Sequence, residues 1–208
     1  MKEDYGNISI TIYELTKQYA KDKGIHDINV TFQAGTLNLV VGHNGSGKST
    51  LFKCIMGLCN YHGSVIKRRV RIGYAPEDYN MPTNMTVMDF LISIGRVKGG
   101  NTHELKDIAR YYLDMFDLDA LRNQYIRTLS HGMRQKVNLL QAFVYEPKIL
   151  LLDEPLIALD QDIIPKVVQL IQKIAKHSLV LVSTHHPGRF GSRNKKIYRM
   201  AAGTMIDE

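Results

Sequence analysis

The sequence predicts an α/β fold with a mostly parallel sheet, an antiparallel β subdomain near the N-terminus and an inserted helical subdomain. Three observations support this fold class. Two fully apolar runs, at residues 149–152 and 179–182, are typical of strands buried on both faces of a parallel sheet. Apolar residues that alternate before residue 34 are typical of half-buried antiparallel strands. Between residues 86 and 144 the apolar spacing becomes that of helices.

The composition is that of one globular domain. The chain has 208 residues, 44% of them hydrophobic, which is enough for one substantial core. No apolar run reaches the roughly 18 residues that a membrane-spanning helix needs. The start, Met1–Tyr5, is not an apolar signal region, so we expect a cytosolic protein. Cys54 and Cys59 lack companion ligands, which favours core thiols over a metal site or a disulfide.

The chain is basic, with a formal net charge of +7 and a pI near 9.3. The densest basic segments are Lys67–Arg71 and Arg193–Lys196. Neither is interleaved with the aromatic residues of a nucleic-acid-binding module, so no nucleic-acid partner is predicted. Solvated strand faces explain both segments, and weak attraction to an anionic membrane surface is the alternative.

The N-terminal third predicts strands that precede a phosphate-binding segment. Ile8, Ile10 and Ile12 alternate with polar residues, as in a half-buried strand. The polar stretch Thr16–Gly24 follows, and after it a second strand is predicted that is apolar at alternate positions from residue 28 to residue 32. Several strands at this position predict an antiparallel sheet against the core.

The segment Gly42–Thr50 fits the phosphate-binding pattern G-x-x-x-x-G-K-[ST]. The apolar run Leu37–Val41 precedes it and the helix-like Leu51–Met56 follows, so a P-loop NTPase core is predicted. Glycines let the backbone wrap around phosphate, and the helix N-terminus adds partial positive charge. A glycine-rich turn with a stray lysine is the weaker alternative. The candidate phosphate-binding residues are Gly42, Asn44, Gly45, Ser46, Gly47, Lys48, Ser49 and Thr50, with Lys48 at the β- and γ-phosphates and Ser49 on Mg²⁺.

A helical subdomain is predicted at residues 80–145, between residues 1–79 and 146–208 of a single domain. Thr86 and Asp89 resemble a capping box at its start. The clearest amphipathic stripe runs from Leu105 to Phe116 at the spacing of one helix face. Farther along, Leu129–Val137 predicts a helix with Ser130 as its N-cap. On its own this last segment is an ordinary capped helix.

Two acidic residues follow the apolar strand-like run at residues 149–152. Asp153 and Glu154 would stand at the carboxyl end of a buried strand, where open α/β sheets bind ligands. Such a pair is costly without a cation, and beside a phosphate-binding loop the natural cation is Mg²⁺. Asp153 is then the candidate Mg²⁺ partner and Glu154 the base toward the attacking water. A simple turn closed by Pro155 is the alternative.

The C-terminal third continues the alternation of helices and strands. A helix is predicted from Ile163 to Lys176, with Pro165 in its first turn, where it is tolerated. The apolar strand at residues 179–182 leads to His185, which could reach a γ-phosphate or could be a surface histidine. A terminal hairpin is predicted about Ala202 and Gly203.

In chain order, these segments resemble the nucleotide-binding subunit of ABC transporters, in a bacterial exporter-type form. The specific part of the resemblance is Leu-Ser-x-Gly at Leu129–Gly132, upstream of Leu152–Pro155. The resemblance implies ATP and Mg²⁺ as cofactors. It also implies two protomers that close head-to-tail on two ATP molecules, each bound by the phosphate loop of one protomer and by Ser130 and Gly132 of the other.

The resemblance also implies roles for single residues. Tyr19 would stack on adenine, and Glu77 would bind Mg²⁺ and couple to the membrane subunit. Glu154 would be the general base and His185 the γ-phosphate switch, while Asp160 would lie in the loop at the dimer interface. Glu77 replaces the usual glutamine of this family. His131 and Met133 depart from its Leu-Ser-Gly-Gly-Gln segment.

Three functions follow as hypotheses. The first is a MgATP hydrolase that works with a second ABC ATPase protomer, identical or different, to power transport through a separate integral membrane permease, with export favoured. The resemblance then implies a cytoplasmic protein, peripheral on the inner face of the cell membrane. The second is a soluble ABC-type ATPase in an assembly or repair complex without a permease. The third, a signalling or kinase-type phosphate-loop enzyme, is disfavoured by Ser130–Gln135.

Overall fold

The computed structural model describes residues 8–21, 23–191 and 194–206. The strands are β1 (Ser9–Ala20), β2 (Lys23–Gln33), β3 (Leu37–Val41), β4 (His62–Lys67), β5 (Ile72–Ala75), β6 (Ile149–Asp153), β7 (Leu179–Thr184), β8 (Lys195–Ala201) and β9 (Thr204–Ile206). The helices are α1 (Lys48–Met56), α2 (Val87–Val97), α3 (Thr102–Met115), α4 (His131–Phe143) and α5 (Ile163–Ala175). Of the basic segment at residues 193–196, Arg193 lies outside the described residues.

In the described part of the chain, the strands form two sheets. A three-stranded antiparallel sheet has the order β2-β1-β4, and a six-stranded sheet has the order β5-β6-β7-β3-β8-β9. All neighbours in the larger sheet are parallel except β8 and β9. The predicted α/β fold with an antiparallel β subdomain is confirmed. Because β3 lies beside β7 and β7 beside β6, the carboxyl ends of these three strands meet at one edge.

The polar stretch Thr16–Gly24 does not separate the two predicted strands, since β1 and β2 run through most of it as one long hairpin. Lys17 pairs with Ile25, and Ala20 pairs with Lys23. Register shifts interrupt the pairing between Ile12 and Ala20, and β-bulges of this kind disturb the two-residue alternation by which a strand is recognised. The polar composition of this stretch therefore does not reveal that β1 and β2 continue through it.

The six-stranded sheet separates two hydrophobic cores. On one face, Ile149 and Leu151 of β6 pack with α1 and the antiparallel sheet. On the other face, Leu150 and Leu152 pack with helices α2 to α5. Since every residue of β6 is buried, the strand needs apolar side chains on both faces, which explains its unbroken apolar run.

The helices begin and end much as the sequence predicts. The Thr86 hydroxyl accepts the Asp89 N–H at 3.1 Å and donates to the Asp89 carboxylate at 2.7 Å. Thr86 therefore caps α2, but the carboxylate bonds to the Thr86 hydroxyl and not to its backbone N–H as in a capping box. In α5, Pro165 is the third residue, within the first turn. No helix among the described residues combines the length and apolar character required to cross a membrane.

The two cysteines lie at the end of α1 as free thiols. Cys54 is buried and Cys59 half-buried, and their Sγ atoms are 3.5 Å apart. Burial raises the pKa of the Cys54 thiol to about 12, so this group stays protonated near neutral pH. These observations agree with the interpretation of core thiols.

Candidate functional site

The loop at residues 42–47 connects the carboxyl end of β3 to the first turn of α1. Gly45 and Gly47 have φ values of 83° and 105°, in the left-handed region that favours glycine. The turn is closed by the Ser46 N–H, which donates to the His43 carbonyl at 3.2 Å. The motif glycines thus give the loop the curvature that a phosphate-binding segment needs.

Lys48 points its amine back into this loop. Its Nζ atom donates to the carbonyls of Gly42 and His43 at 2.8 and 3.2 Å, and lies 3.5 Å from Oε1 of Glu154. The side chain of Lys48 is only 6% exposed. A buried ammonium group is therefore held at the centre of the loop, between backbone carbonyls and one carboxylate.

A cavity of about 770 Å³ opens beside the loop, a size that suits a nucleotide. Its lining comprises Tyr19, Lys23, Gly24, His26, Asn44, Gly45, Gly47, Lys48, Ser49, Thr50, Glu77, Ala202 and Gly203. Tyr19 is 56% exposed, and its hydroxyl lies beside the Thr50 side chain. The structure therefore places an exposed aromatic ring beside the phosphate-binding loop, as stacking on adenine requires.

Asp153 ends β6 at the edge of the sheet where the loop also lies. It is 2% exposed, and burial raises the pKa of its carboxyl. Hydrogen bonds from the hydroxyls of Ser183 and Ser49 partly oppose this rise, as does the charge of Lys48. A buried carboxylate and the Ser49 hydroxyl thus meet at one point.

Glu154 is held just beyond the strand in a constrained conformation. Its φ is 48°, and its N–H donates to the carbonyl and the hydroxyl of Ser183 at 3.2 and 3.0 Å. Its Oε1 atom lies 2.9 Å from Nδ1 of His185. Because an ionised carboxylate only accepts, the imidazole donates through an Nδ1–H group. Glu154 and His185 are therefore oriented by each other.

Glu77 enters the site from the loop after β5 and lines the cavity. Burial raises the pKa of its carboxyl, and the charges of Asp153 and Glu154 raise it further, against the opposing charge of Lys48. Across residues 8–21, 23–191 and 194–206, no three His, Cys, Asp or Glu side chains are arranged to hold a metal by themselves.

The site fits a nucleotide with Mg²⁺. The buried Lys48 amine at the loop supplies the positive charge that phosphate groups need, and the Ser46 hydroxyl is buried against Gly42 and does not line the cavity. The Ser49 hydroxyl and the Asp153 carboxylate are oxygen donors of the kind that Mg²⁺ accepts, and phosphate oxygens normally complete its coordination. Because the phosphate oxygens of the nucleotide supply part of the coordination, few protein carboxylates are needed to hold Mg²⁺ at such a site.

Ser130 and Gly132 are not among the described residues that line the cavity. Ser130 is the exposed N-cap of α4, and its hydroxyl accepts the Met133 N–H at 3.3 Å. A Cβ atom on Gly132 would lie 2.9 Å from the Ala158 carbonyl, so the start of α4 packs against the loop after β6. These residues present a helix N-terminus away from the chain's own nucleotide cavity.

Sequence reasoning missed Ser183, whose hydroxyl contacts both Asp153 and Glu154. It lies beside Asp153 in the register of β6 and β7, a pairing that only the sheet order reveals. It also missed Lys23, His26 and Gly203, which line the cavity from the two hairpins. No local pattern marks these three residues, because the cavity wall forms only when the hairpins meet.

The fold and the site together define the class of protein: a phosphate-loop ATPase with a β subdomain and a set of added helices. A family model described as ABC transporter matches residues 25–157. The chain belongs to the ABC transporter family, as an ABC-type ATPase that binds and hydrolyses ATP.

Known relatives extend the similarity over nearly the whole chain. Identity is 29% to the glutamine transport ATP-binding protein GlnQ of Geobacillus stearothermophilus, over 96% of this chain and 89% of that protein. Identity is 36% to the sulfate/thiosulfate import ATP-binding protein CysA of Pseudomonas aeruginosa, over 74% of this chain and 51% of that one. Among solved structures, a dimeric bacterial ABC transporter cassette, MJ0796, superposes with a TM-score of 0.84 at 26% identity, over 95% of this chain and 97% of that one.

Proposed function

We propose that the chain hydrolyses MgATP as a head-to-tail dimer and thereby drives transport through a separate integral membrane permease. The observation that carries this proposal is the position of Glu154. Its carboxylate lies 3.5 Å from the Lys48 amine and 2.9 Å from the His185 imidazole, beside the phosphate-binding loop. A general base with this orientation is what the hydrolysis of a bound nucleotide needs.

Each side chain then has a defined task. The Lys48 amine leaves its backbone carbonyls to bind phosphate oxygens, and the N–H groups of the loop bind beside it. Glu154 takes a proton from the attacking water at a carboxylate oxygen, and His185 keeps that carboxylate in place. Ser49 and Asp153 would hold Mg²⁺, with Glu77 nearby. When bound, Mg²⁺ supplies charge neutralisation and orientation at the phosphates.

The second protomer contributes the exposed start of α4. Ser130 and the N–H groups that follow it form a helix N-terminus, which favours anions. In a head-to-tail dimer this terminus would face the nucleotide of the partner. The similarity to a dimeric ABC cassette supports such an arrangement, with an identical or a different ABC ATPase as partner.

The proposal is tested with Glu154→Gln. We expect steady-state hydrolysis to fall by about 10²–10⁴-fold, the usual contribution of a general base, while ATP binding and an ATP-dependent dimer persist. Glu146→Gln is the matched control, since Glu146 lies exposed at the opposite end of β6. Unchanged hydrolysis in Glu154→Gln would overturn the assignment of the base.

The permease is tested separately, by affinity purification from detergent-solubilised native membranes. Recovery of a multi-spanning membrane protein in near-equal amount supports the transporter and a peripheral position at the inner face of the membrane. Recovery of soluble partners alone, with ATPase activity intact, would favour an assembly or repair complex instead. The form of residues 130–135 resembles exporter-type bacterial systems, whereas the relative CysA is named for import. ATP-driven uptake of a transported substrate into inverted membrane vesicles would support export, because the cytoplasmic face of such vesicles points outward.

A further inference from the structure

A basic surface lies at the edge of the six-stranded sheet opposite the nucleotide cavity. The end of α1, the connection between β4 and β5, and the end of α2 meet there. They enclose an open groove of about 450 Å³. We call it the basic groove, and its lining is Met56, Arg69, Val70, Arg71, Ile72 and Lys98. This surface contains residues 69–71 of the basic segment Lys67–Arg71, which the nucleotide site does not use.

The groove's positive charge is not balanced by its own segments. No acidic residue occurs anywhere between Asp27 and Glu77, the part of the sequence that supplies five of the six lining residues. None occurs between Asp89 and Glu104 either, where the sixth, Lys98, lies. The segments that build the groove therefore carry cations and no carboxylates.

Tertiary contacts do not neutralise the cations. Within residues 8–21, 23–191 and 194–206, Arg69, Arg71 and Lys98 form no ion pair with a carboxylate. Lys98 instead lies over the Tyr145 ring, 6.0 Å from its centroid. The charge of Arg71 also acts on Tyr145, where it opposes the rise that burial gives the phenol pKa. Lys98 thus lies over the Tyr145 ring, and the charge of Arg71, from a different segment, also acts on this residue.

Exposed aliphatic side chains flank the groove along the chain. Val97, directly before Lys98, is 83% exposed, and Leu58, two residues after Met56, is 63% exposed. The transfer of such side chains from water to an apolar phase is favourable, because it removes apolar surface from water. Among the groove's lining residues there is no aromatic side chain on which a nucleic-acid base could stack.

We propose that the basic groove and its aliphatic neighbours contact the anionic surface of a phospholipid bilayer. Unpaired cations match its negative charge, and each lysine or arginine near such a surface contributes about a fivefold factor in binding. Val97 and Leu58 would enter the headgroup layer, as apolar side chains do in interfacial proteins. The contact is made by this chain alone and needs no permease, so it goes beyond the function proposed above.

The groove and the nucleotide site can be occupied together. Helix α1 begins at the phosphate-binding loop and ends at Met56, so its nine residues separate the two sites by about 13 Å. A bilayer at the groove would therefore leave the nucleotide cavity open.

The test is co-sedimentation of the purified chain with vesicles of phosphatidylcholine, alone or mixed with phosphatidylglycerol. We expect binding to the mixed vesicles only, weakened by added salt. The triple variant R69Q/R71Q/K98Q should bind on the order of 100-fold less. Val97→Ser should show a smaller loss. The control K106Q/K173Q/K176Q removes the same charge from exposed positions on α3 and α5 and the residue that follows α5, and should keep most of the binding.

Three results would overturn the proposal. One is the absence of binding to phosphatidylglycerol vesicles by a chain that still binds ATP. Another is an equal loss in both triple variants, which would assign the attraction to total charge. The third is tighter binding to a single-stranded oligonucleotide than to vesicles, lost in R69Q/R71Q/K98Q, which would assign the groove to nucleic acid. Equal melting temperatures of the variants would exclude misfolding as a cause.

Discussion

The Nζ atom of Lys136 on α4 lies 2.8 Å from a carboxylate oxygen of Asp160, in the loop that follows β6. The two ends of this ion pair differ in exposure, since the Lys136 side chain is 10% exposed and that of Asp160 is 73% exposed. The pair joins the helix that starts at Ser130 to the loop that starts at Glu154. A carboxylate at the surface thus compensates an ammonium group that is largely out of water.

This pair predicts a specific dependence of stability on pH. The hydrogen bond and the charge of Lys136 lower the pKa of Asp160 from its usual 3.8. A carboxyl whose pKa falls on folding stabilises the folded state above its unfolded pKa, and this stabilisation is lost as the pH falls through the folded value. Asp160→Asn should therefore lower the free energy of unfolding near neutral pH. The difference from wild type should shrink as the pH falls below 3.8 and vanish once the pH is below the lowered pKa of the folded state.

Urea denaturation across this pH range measures the effect. Asp114→Asn changes an exposed carboxylate on α3 and serves as the control. A deficit in Asp160→Asn that persisted unchanged into acid would show that the ion pair is not its source.

A second prediction concerns Asn138, which ties α4 to the loop that carries Glu77. Its Nδ2 atom donates to the Pro76 carbonyl at 2.8 Å, and the side chain is 2% exposed. Asn138→Ala leaves that carbonyl without this donor, and we expect a loss of about 1–3 kcal/mol in the free energy of unfolding. Hydrogen exchange should also become faster around Glu77. Asn123→Ala, at an exposed position, should change neither quantity. Unaltered exchange around Glu77 in Asn138→Ala would mean that the amide does not hold this loop.

A third prediction uses Ser183, whose hydroxyl donates to Asp153 and accepts from the Glu154 N–H. Because its hydrogen bond lowers the pKa of Asp153, Ser183→Ala should raise that pKa further. We expect a stability loss of about 1–3 kcal/mol. Mg²⁺-dependent nucleotide affinity should fall about 10–100-fold, as for other residues that orient metal ligands.

Ser178→Ala is the control for this variant. Ser178 is also buried, and its hydroxyl donates to the Pro147 carbonyl at 3.2 Å, at the opposite end of the neighbouring strands. Calorimetric titration with MgADP should separate the two variants, since both lose stability and only Ser183→Ala loses affinity. Equal affinities would remove Ser183 from the support of the metal site.

A part of the site could be predicted from the sequence where its residues are neighbours in the chain, and could not be predicted where they are distant from each other. The loop Gly42–Thr50 and the pair Asp153–Glu154 are contiguous in sequence, so their chemistry shows in a short window. Ser183, Asn138 and Lys136 act on residues that are 30, 62 and 24 positions away in the chain. Their partners depend on the sheet order and on the packing of α4, and the hydrophobic periodicity of the sequence predicts neither. The two N-terminal strands were predicted, but their continuation through residues 16–24 was not, because the bulges there follow cross-strand pairing.

The last prediction separates two reasons for a glycine in the phosphate-binding loop. Gly42 is tightly packed, and an added Cβ atom would overlap the Met200 carbonyl of β8 and crowd the Ser46 side chain. Gly45 has open space, with no atom within 4 Å of an added Cβ, but its φ is 83°. Gly42→Ala should therefore displace the loop and cost about 1–3 kcal/mol, as overpacking does. Gly45→Ala should cost about 1 kcal/mol through backbone strain alone.

Nucleotide affinity should follow the same order. A loop pushed away from β8 cannot bring its N–H groups and the Lys48 amine to the phosphates together, so Gly42→Ala should bind ATP far more weakly than Gly45→Ala. Thermal unfolding and fluorescent-nucleotide titration of the two variants measure both effects. If Gly45→Ala lost more affinity than Gly42→Ala, left-handed backbone geometry and not the contact with β8 would be the stricter requirement of this loop.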